Sequence, residues 1–199
     1  MTAEAILTNI LLEIGLDRPS PQLTSGDYEI RQIKAFMNAA GKDICRRAEW
    51  SRLYRELVVP GNVSAMALPD EFQEMAEKGA VRLNKSGFHP VRPIIAPEQW
   101  DFLSSRPSIQ PFYHLAGGEI LFSPALDSGG AKIRYVSKHW VNNKAEITQN
   151  SDHLLIPERL VEKGTIWRWK RQKGLPYDDI LAEFEADLIA EIKADRGEG

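Results

Sequence analysis

The chain is short of the residues that carry most protein chemistry. It has one cysteine, Cys45, in 199 residues, so no intramolecular disulfide can form, which fits a reducing compartment. Cys45 sits inside a helical pattern and reads as a buried, inert thiol rather than a nucleophile. His89, His114, His139 and His153 stand apart from one another and from cysteine. None has a metal-site spacing such as His-x-x-x-His, so they read as loop or sheet histidines. There is no Gly-x-Ser-x-Gly elbow. Gly117-Gly118 and Gly129-Gly130 lack the strand-to-helix setting and the Lys-Ser/Thr of a phosphate loop. No apolar run reaches membrane-spanning length, and the opening MTAEAILTNILLEIG is interrupted by Glu4 and Glu13, unlike a secretory segment. An excess of positive charge is also missing: the net charge is −3 and the pI about 5.9, whereas proteins that coat nucleic-acid phosphate are usually basic. No repeat of fixed period and no low-complexity tract occurs. These absences point away from an enzyme, and they leave no catalytic, cofactor-binding or metal-ligating residue to assign.

What is present suits an ordinary folded chain, 43% hydrophobic and 27% charged. The organising stretch runs from Pro157 to Asp195. It reads as two helices separated by Lys173-Gly174-Leu175-Pro176. Pro157 suits a first helical turn, where its missing N–H would be unpaired anyway. Leu160, Val161, Ile166, Trp167 and Trp169 supply apolar contacts in the first helix, which Gly164 weakens by about 1 kcal/mol relative to Ala. Gly174 stops that helix and Pro176 forbids its continuation. The second helix starts near Tyr177 with Asp178 and Asp179 in its first turn, where the helix dipole favours negative charge. Ile180, Phe184, Leu188 and Ile192 recur every four residues, widened by Leu181 and Ile189. The first helix is basic (Lys163, Arg168, Lys170, Arg171, Lys173) and the second acidic (Asp178, Asp179, Glu183, Glu185, Asp187, Glu191). Two readings follow: the helices pair with each other across a hairpin, or the basic helix of one copy meets the acidic helix of the next. The run Trp167 to Lys173 interleaves aromatic and basic residues, as nucleic-acid surfaces do. On a helix, however, Trp167 and Trp169 lie about 200° apart and make no common stacking platform. Trp167 is expected on the helical core and Trp169 at a protein interface, since Trp and Arg commonly anchor such contacts.

Upstream, residues 3–14 read as a helix ended by Gly15, and 17–26 as a turn-rich connection containing Pro19 and Pro21. A helix capped by Asp27 then runs from Tyr28 to Ala48 with Ile30, Ile33, Met37, Ala40, Ile44 and Cys45 on its apolar face. From Trp50 the period becomes two. A strand to Val59, a Pro60-Gly61-Asn62 turn and a returning strand from Val63 to Leu68 read as a hairpin. Leu68 to Phe72 is expected to leave the sheet as a short helical or irregular piece. Ala80–Asn84 and Phe88–Val91 read as strands about a Lys85-Ser86-Gly87 turn. Pro97–Leu103 reads as a short helix, Pro111–Leu115 and Glu119–Phe122 as a hairpin, and Ala131–Trp140 as a strand. Residues 142–152 read as a polar, mobile loop. The expected fold is α+β: an antiparallel helical bundle from both chain ends (1–50 and 153–195), with a small antiparallel β lobe inserted over about 51–141, the whole forming one domain, 1–199.

In this order the pieces resemble the head-to-tail adaptor proteins of tailed bacteriophages. The resemblance rests on the helix ending at Ile14-Gly15 and the long helix ending near Trp50. It continues through Leu68-Pro69-Asp70-Glu71-Phe72, Tyr113 to Pro124 with Ile120-Leu121-Phe122-Ser123-Pro124, and Ile133-Arg134-Tyr135. It closes with Leu155-Ile156-Pro157-Glu158 running into Trp167 and the Lys173 to Tyr177 break. It implies a virion protein without catalysis or cofactor, in the neck between head and tail. Such proteins form a ring of identical copies, dodecameric in this family, docked on the portal ring and followed by a tail or nozzle protein. DNA passes through without sequence-specific binding, and no membrane is involved. It also implies that the C-terminal end reaches the portal or a neighbouring copy. The interface set is therefore Trp167, Arg168, Trp169, Lys170, Arg171, Lys173, Tyr177, Asp178 and Asp179. The competing readings are a DNA-binding or packaging accessory protein using 168–173, and an enzyme whose site is assembled from residues distant in sequence.

Overall fold

A computed structural model describes residues 2–16, 18, 20–77, 80–87 and 89–197. Asp17 and Pro19 of the expected connection and Phe88 of the expected strand lie outside the described residues. The fold is mixed α+β, with five α-helices and two small sheets among the described residues. The chain divides into two compact units, one made of Met1–Leu53 with Lys138–Gly199 and the other of Tyr54–Ser137.

The first unit is helical. Helix α1 (Ala3–Glu13) is capped by Thr2 and buries Ala3, Ile6, Leu7, Ile10 and Leu11; Gly15 ends it with φ +74°. Helix α2 (Tyr28–Arg47) starts where the Asp27 carboxylate accepts from the Glu29 N–H at 2.8 Å. It buries Ile30, Ile33, Met37, Ala40, Gly41, Ile44 and Cys45. Burial pushes the Cys45 thiol up to about 12. Helices α4 (Glu158–Gln172) and α5 (Asp178–Arg196) complete the unit.

Two glycines permit close helix packing. A Cβ on Gly41 would run into the Trp140 ring, with Cζ2 at 2.5 Å and Cζ3 at 2.6 Å. A Cβ on Gly164 of α4 would sit 2.9 Å from the Ala40 Cβ of α2 and 3.3 Å from Phe184 of α5. Gly164, a weak point by helix propensity, is the crossing point of three helices.

Residues 142–152 are tied down, against the expectation of a mobile loop. Asn38 of α2 accepts from the Ile147 N–H at 2.7 Å and donates to the Ile147 carbonyl at 3.2 Å, and Ile147 is fully buried. Asp152 accepts from the N–H groups of Thr148 (2.7 Å) and Gln149 (3.0 Å) and pairs with Lys144 at 2.8 Å. Burial alone would raise its pKa; these donors outweigh it and hold the carboxyl at about 2. Polarity here reflects internal hydrogen bonding rather than solvation.

The second unit holds two four-stranded sheets. Its strands are β1 (Tyr54–Val59), β2 (Ala65–Ala67), β3 (Phe72–Met75), β4 (Val81–Leu83) and β5 (Arg92–Pro93). Helix α3 (Pro97–Ser104) follows, then β6 (Phe112–Ala116), β7 (Glu119–Ser123) and β8 (Ala131–Ser137). In one sheet β8 is flanked by β1 on one side and by β3 and β4 on the other; the second runs β2-β7-β6-β5. Val59, Val81, Tyr113, Ile120, Phe122 and Ile133 belong to its core. Helix α3 and the β6–β7 hairpin about Gly117-Gly118 are as expected from the sequence, both glycines having positive φ.

Several strand readings require correction. The Pro60–Asn62 turn does not close a hairpin: β1 pairs with β8 and β2 pairs with β7. Asn62, at φ +61°, donates its N–H to Leu126 and Asp127, and the carbonyls of Val63 and Ser64 accept from Leu126 and Phe122, which carries the chain into the other sheet. Phe72 opens strand β3 rather than a helical or irregular piece. Strand β8 stops at Ser137, and Trp140 belongs to the helical unit. One edge of the second sheet is parallel: β5 pairs with β6 over two residues and ends at Pro93, which has no N–H to continue the ladder.

Candidate assembly interface

The α4–α5 hairpin carries every residue of the expected interface set. Helix α4 starts after Pro157 and buries Leu160, Val161, Gly164, Thr165, Ile166, Trp167 and Trp169. Gly174 at φ +69° closes it, and the Leu175 N–H donates to the Lys170 carbonyl at 2.9 Å. Helix α5 begins after Tyr177 with Asp178 and Asp179 exposed in its first turn. Its apolar stripe is only partly covered. Phe184 and Leu188 are buried, Ile180, Leu181 and Ile192 are half-buried, and Ile189 is 56% exposed.

The hairpin's charges pair internally at one end. Lys163 meets Glu183 at 2.7 Å and Asp187 at 2.9 Å, and Arg159 meets Asp187 at 3.1 Å. The Glu183 hydrogen bond raises the Lys163 pKa. Arg47 of α2 reaches across to Glu185 at 2.7 Å. At the other end the basic residues remain available: Arg171 and Lys173 are exposed and Lys170 half-buried, with no carboxylate paired to them among the described residues. Arg171 lies 5.1 Å from the Trp167 ring centre and Lys173 5.7 Å from that of Trp169. Tyr177 stacks on Trp167 at 6.3 Å.

Three members of the set are committed within the unit itself. Arg168 donates to Asp43 of α2 at 2.9 Å and to the Gly164 carbonyl at 2.8 Å, and lies 4.2 Å from the Trp167 ring centre. Its side chain is 12% exposed. Burial lowers its pKa, and the Asp43 hydrogen bond opposes that shift. Trp167 and Trp169 are buried, and neither indole N–H has a partner among the described residues. The structure thus joins Trp167, Tyr177, Arg171 and Arg168 in one stacked cluster. Asp43, the partner of Arg168, escapes sequence reading because it is 125 residues away on another helix.

His114 is buried and shares its Nδ1 with the Ile94 carbonyl at 2.7 Å while stacking on Trp100. Among the described residues no three His, Cys, Asp or Glu side chains are grouped to hold a metal ion, and no helix is long and apolar enough to cross a membrane.

The resemblance to phage head-to-tail adaptors read from the sequence is borne out. The model of the SU10 adaptor protein family matches residues 1–198, and the chain belongs to that family. It is accordingly a phage adaptor and a virion component. No curated protein matches the chain.

Proposed function

We propose that copies of this chain assemble as a ring beneath the portal of a tailed phage, joining capsid to tail in the virion neck and surrounding the channel through which DNA passes. The ring is dodecameric in this reading, its lower face meets a tail or nozzle protein, and the whole chain acts as one adaptor domain. The role is structural, with no catalytic step and no cofactor. The observation that carries the proposal is the incomplete cover of α5, whose Ile189 faces outward at 56% exposure beside half-buried Ile180, Leu181 and Ile192. Such a stripe on a terminal helix suits a protein partner. A ring needs two different faces per copy, and the hairpin offers an unpaired basic end and an acidic outer flank. The interface set around Trp167, Arg171, Lys173, Tyr177, Asp178 and Asp179 is read as the part that meets the portal or a neighbouring copy. The net charge of −3 suits a channel through which DNA slides without sticking.

Particle mass by light scattering, for the chain alone and mixed with portal rings, tests this reading. Joining the portal in a fixed ring stoichiometry is the expected result; a monomer that ignores the portal overturns it. A second reading, a DNA-binding or packaging accessory protein, draws on exposed Arg171 and Lys173. It predicts binding that weakens steeply with salt and is lost in the variant Lys170→Glu/Arg171→Glu/Lys173→Glu. Burial of both tryptophans and the Arg168–Asp43 pair removes the stacking platform and one cation from that surface.

A further inference from the structure

Residues 95–110 of the β unit bond among themselves. All are exposed except Trp100 and Leu103, which are half-buried, and helix α3 within the segment buries none of its residues. Ile95 is 86% exposed, Phe102 53% and Ile109 100%. Trp100 donates its N–H to the Ala96 carbonyl at 3.0 Å, and Arg106 donates to that of Leu103 at 3.1 Å. The Ser104, Ser105 and Ser108 hydroxyls donate to the carbonyls of Asp101, Phe102 and Gln110. Arg106 lies over the Phe102 ring at 3.8 Å. Among the described residues, no hydrogen bond or ion pair joins 95–110 to the rest of the chain.

The two ends of the segment are fixed. Ile94 is 3% exposed, donates its N–H to the Tyr113 carbonyl at 2.8 Å and accepts from His114 Nδ1 at 2.7 Å. Phe112 is 7% exposed and pairs with Ser123 of β7. Since β5 lies beside β6, the ends are neighbours, as in an Ω-loop, and the segment can lift without moving a strand. Between the ends there is one seat. The Trp100 ring meets Phe112 edge-on at 5.6 Å and stacks on His114 at 5.4 Å. Leu103, on the same side of α3, lines a groove of about 340 Å³ with Ile94, Pro107 and Phe112, so the packing there is incomplete. Helix α3 has 8 residues and no side chain capping its first turn. Isolated helices shorter than about 12–15 residues are marginal in water, so α3 would melt on leaving that seat.

We propose that residues 95–110 are a flap that opens while both sheets stay folded, with Trp100 as its peg. Closed, it covers the rings of Phe112 and His114; open, it bares them together with Ile94. The β unit then has two alternative surfaces along β5 and β6. Elements that move when a protein binds are drawn from regions with few buried contacts, as this one is. Opening is a property of the single chain and does not depend on ring formation.

Native-state hydrogen exchange of the full chain, in urea below the unfolding transition, tests it. The α3 amides should exchange roughly a hundredfold or more faster than those of β6 and β7, and share one urea dependence weaker than that of global unfolding. Equal rates and equal urea dependence in α3 and β6–β7 would mean that the segment opens only with the whole unit, and overturn the proposal. Trp100→Ala should leave the α3 amides unprotected while β6 and β7 stay protected, with Trp100→Phe between the two. Loss of β6–β7 protection in Trp100→Ala would make Trp100 a core residue rather than a peg, and likewise overturn it.

Discussion

Gly41→Ala should destabilise the helical unit, although helix propensity alone argues the reverse. An alanine in a helix interior is favoured over glycine by about 1 kcal/mol. At Gly41, however, the new methyl would meet the indole of Trp140, with Cζ2 at 2.5 Å and Cζ3 at 2.6 Å. Trp140 is 1% exposed, and its ring has no free end to swing away. Overpacking a filled core costs typically 1–3 kcal/mol. Several ring atoms are struck at once, which puts this site at the upper end. Net of the propensity gain, the loss is about 2 kcal/mol, or roughly 4–8 °C in Tm for a chain of this size. Thermal and urea unfolding followed by circular dichroism read it directly. Trp140→Phe, with its smaller ring, should make the same glycine change less costly, giving a coupling of about 1 kcal/mol in a double-mutant cycle. A rise in Tm for Gly41→Ala, or strict additivity with Trp140→Phe, would refute the argument that the ring's approach dictates glycine.

Arg168→Ala should lower stability by about 2 kcal/mol by removing a largely buried, charge-assisted hydrogen bond to Asp43, which keeps only Arg47 at 3.3 Å, whereas Arg171→Ala should stay within about 0.5 kcal/mol; urea unfolding separates the two. Asp152 has a folded-state pKa of about 2, below its unfolded value. Its stabilising contribution is therefore complete above about pH 4 and is lost as pH falls toward 2. The stability difference between the natural chain and Asp152→Asn should shrink across that interval in acid unfolding curves. Cys45, buried and with its thiol pushed up to about 12, should resist an aromatic disulfide reagent in the folded chain and react at once in denaturant. Trp167→Ala should impair folding or assembly, losing about 3–5 kcal/mol if the site behaves as core; circular dichroism beside ring assembly checks it, and a variant normal in both contradicts the role assigned to this ring.

Helices were legible because their evidence is local. Asp27, Gly15 and Gly174 mark ends, and the apolar residues of α2 and α4 recur at helical spacing. The β6–β7 hairpin was legible for the same reason, through Gly117-Gly118. Strand partners were not. A turn at Pro60–Asn62 says where the chain bends, but pairing of β1 with β8, across a long stretch of sequence, is decided by tertiary packing. Polarity misled at 142–152, because Asp152 and Asn38 consume the local hydrogen-bonding groups internally. In the hairpin, the burial of Trp167 followed from its place on α4. The Arg168–Asp43 pair and the packing role of Gly164 join residues far apart in the chain, and no pattern along the sequence records them. The exposed Ile95, Phe102 and Ile109 lie among prolines without a period, so nothing in the sequence separates them from core residues.

The division of the helical unit into two chain segments affects how the protein is made. Helix α2 ends at Arg47 and α4, which packs on it through Ala40 and Gly164, starts at Glu158. At roughly 5–20 residues per second, the ribosome takes on the order of 5–20 s to cover that interval. Throughout it, the apolar face of α2 has emerged while its partner has not yet been translated. The β unit, continuous in sequence, can complete itself first. The nascent chain therefore carries a finished lobe beside an unfinished helical pair, and it is this exposed face that chaperones of the infected cell would have to shield.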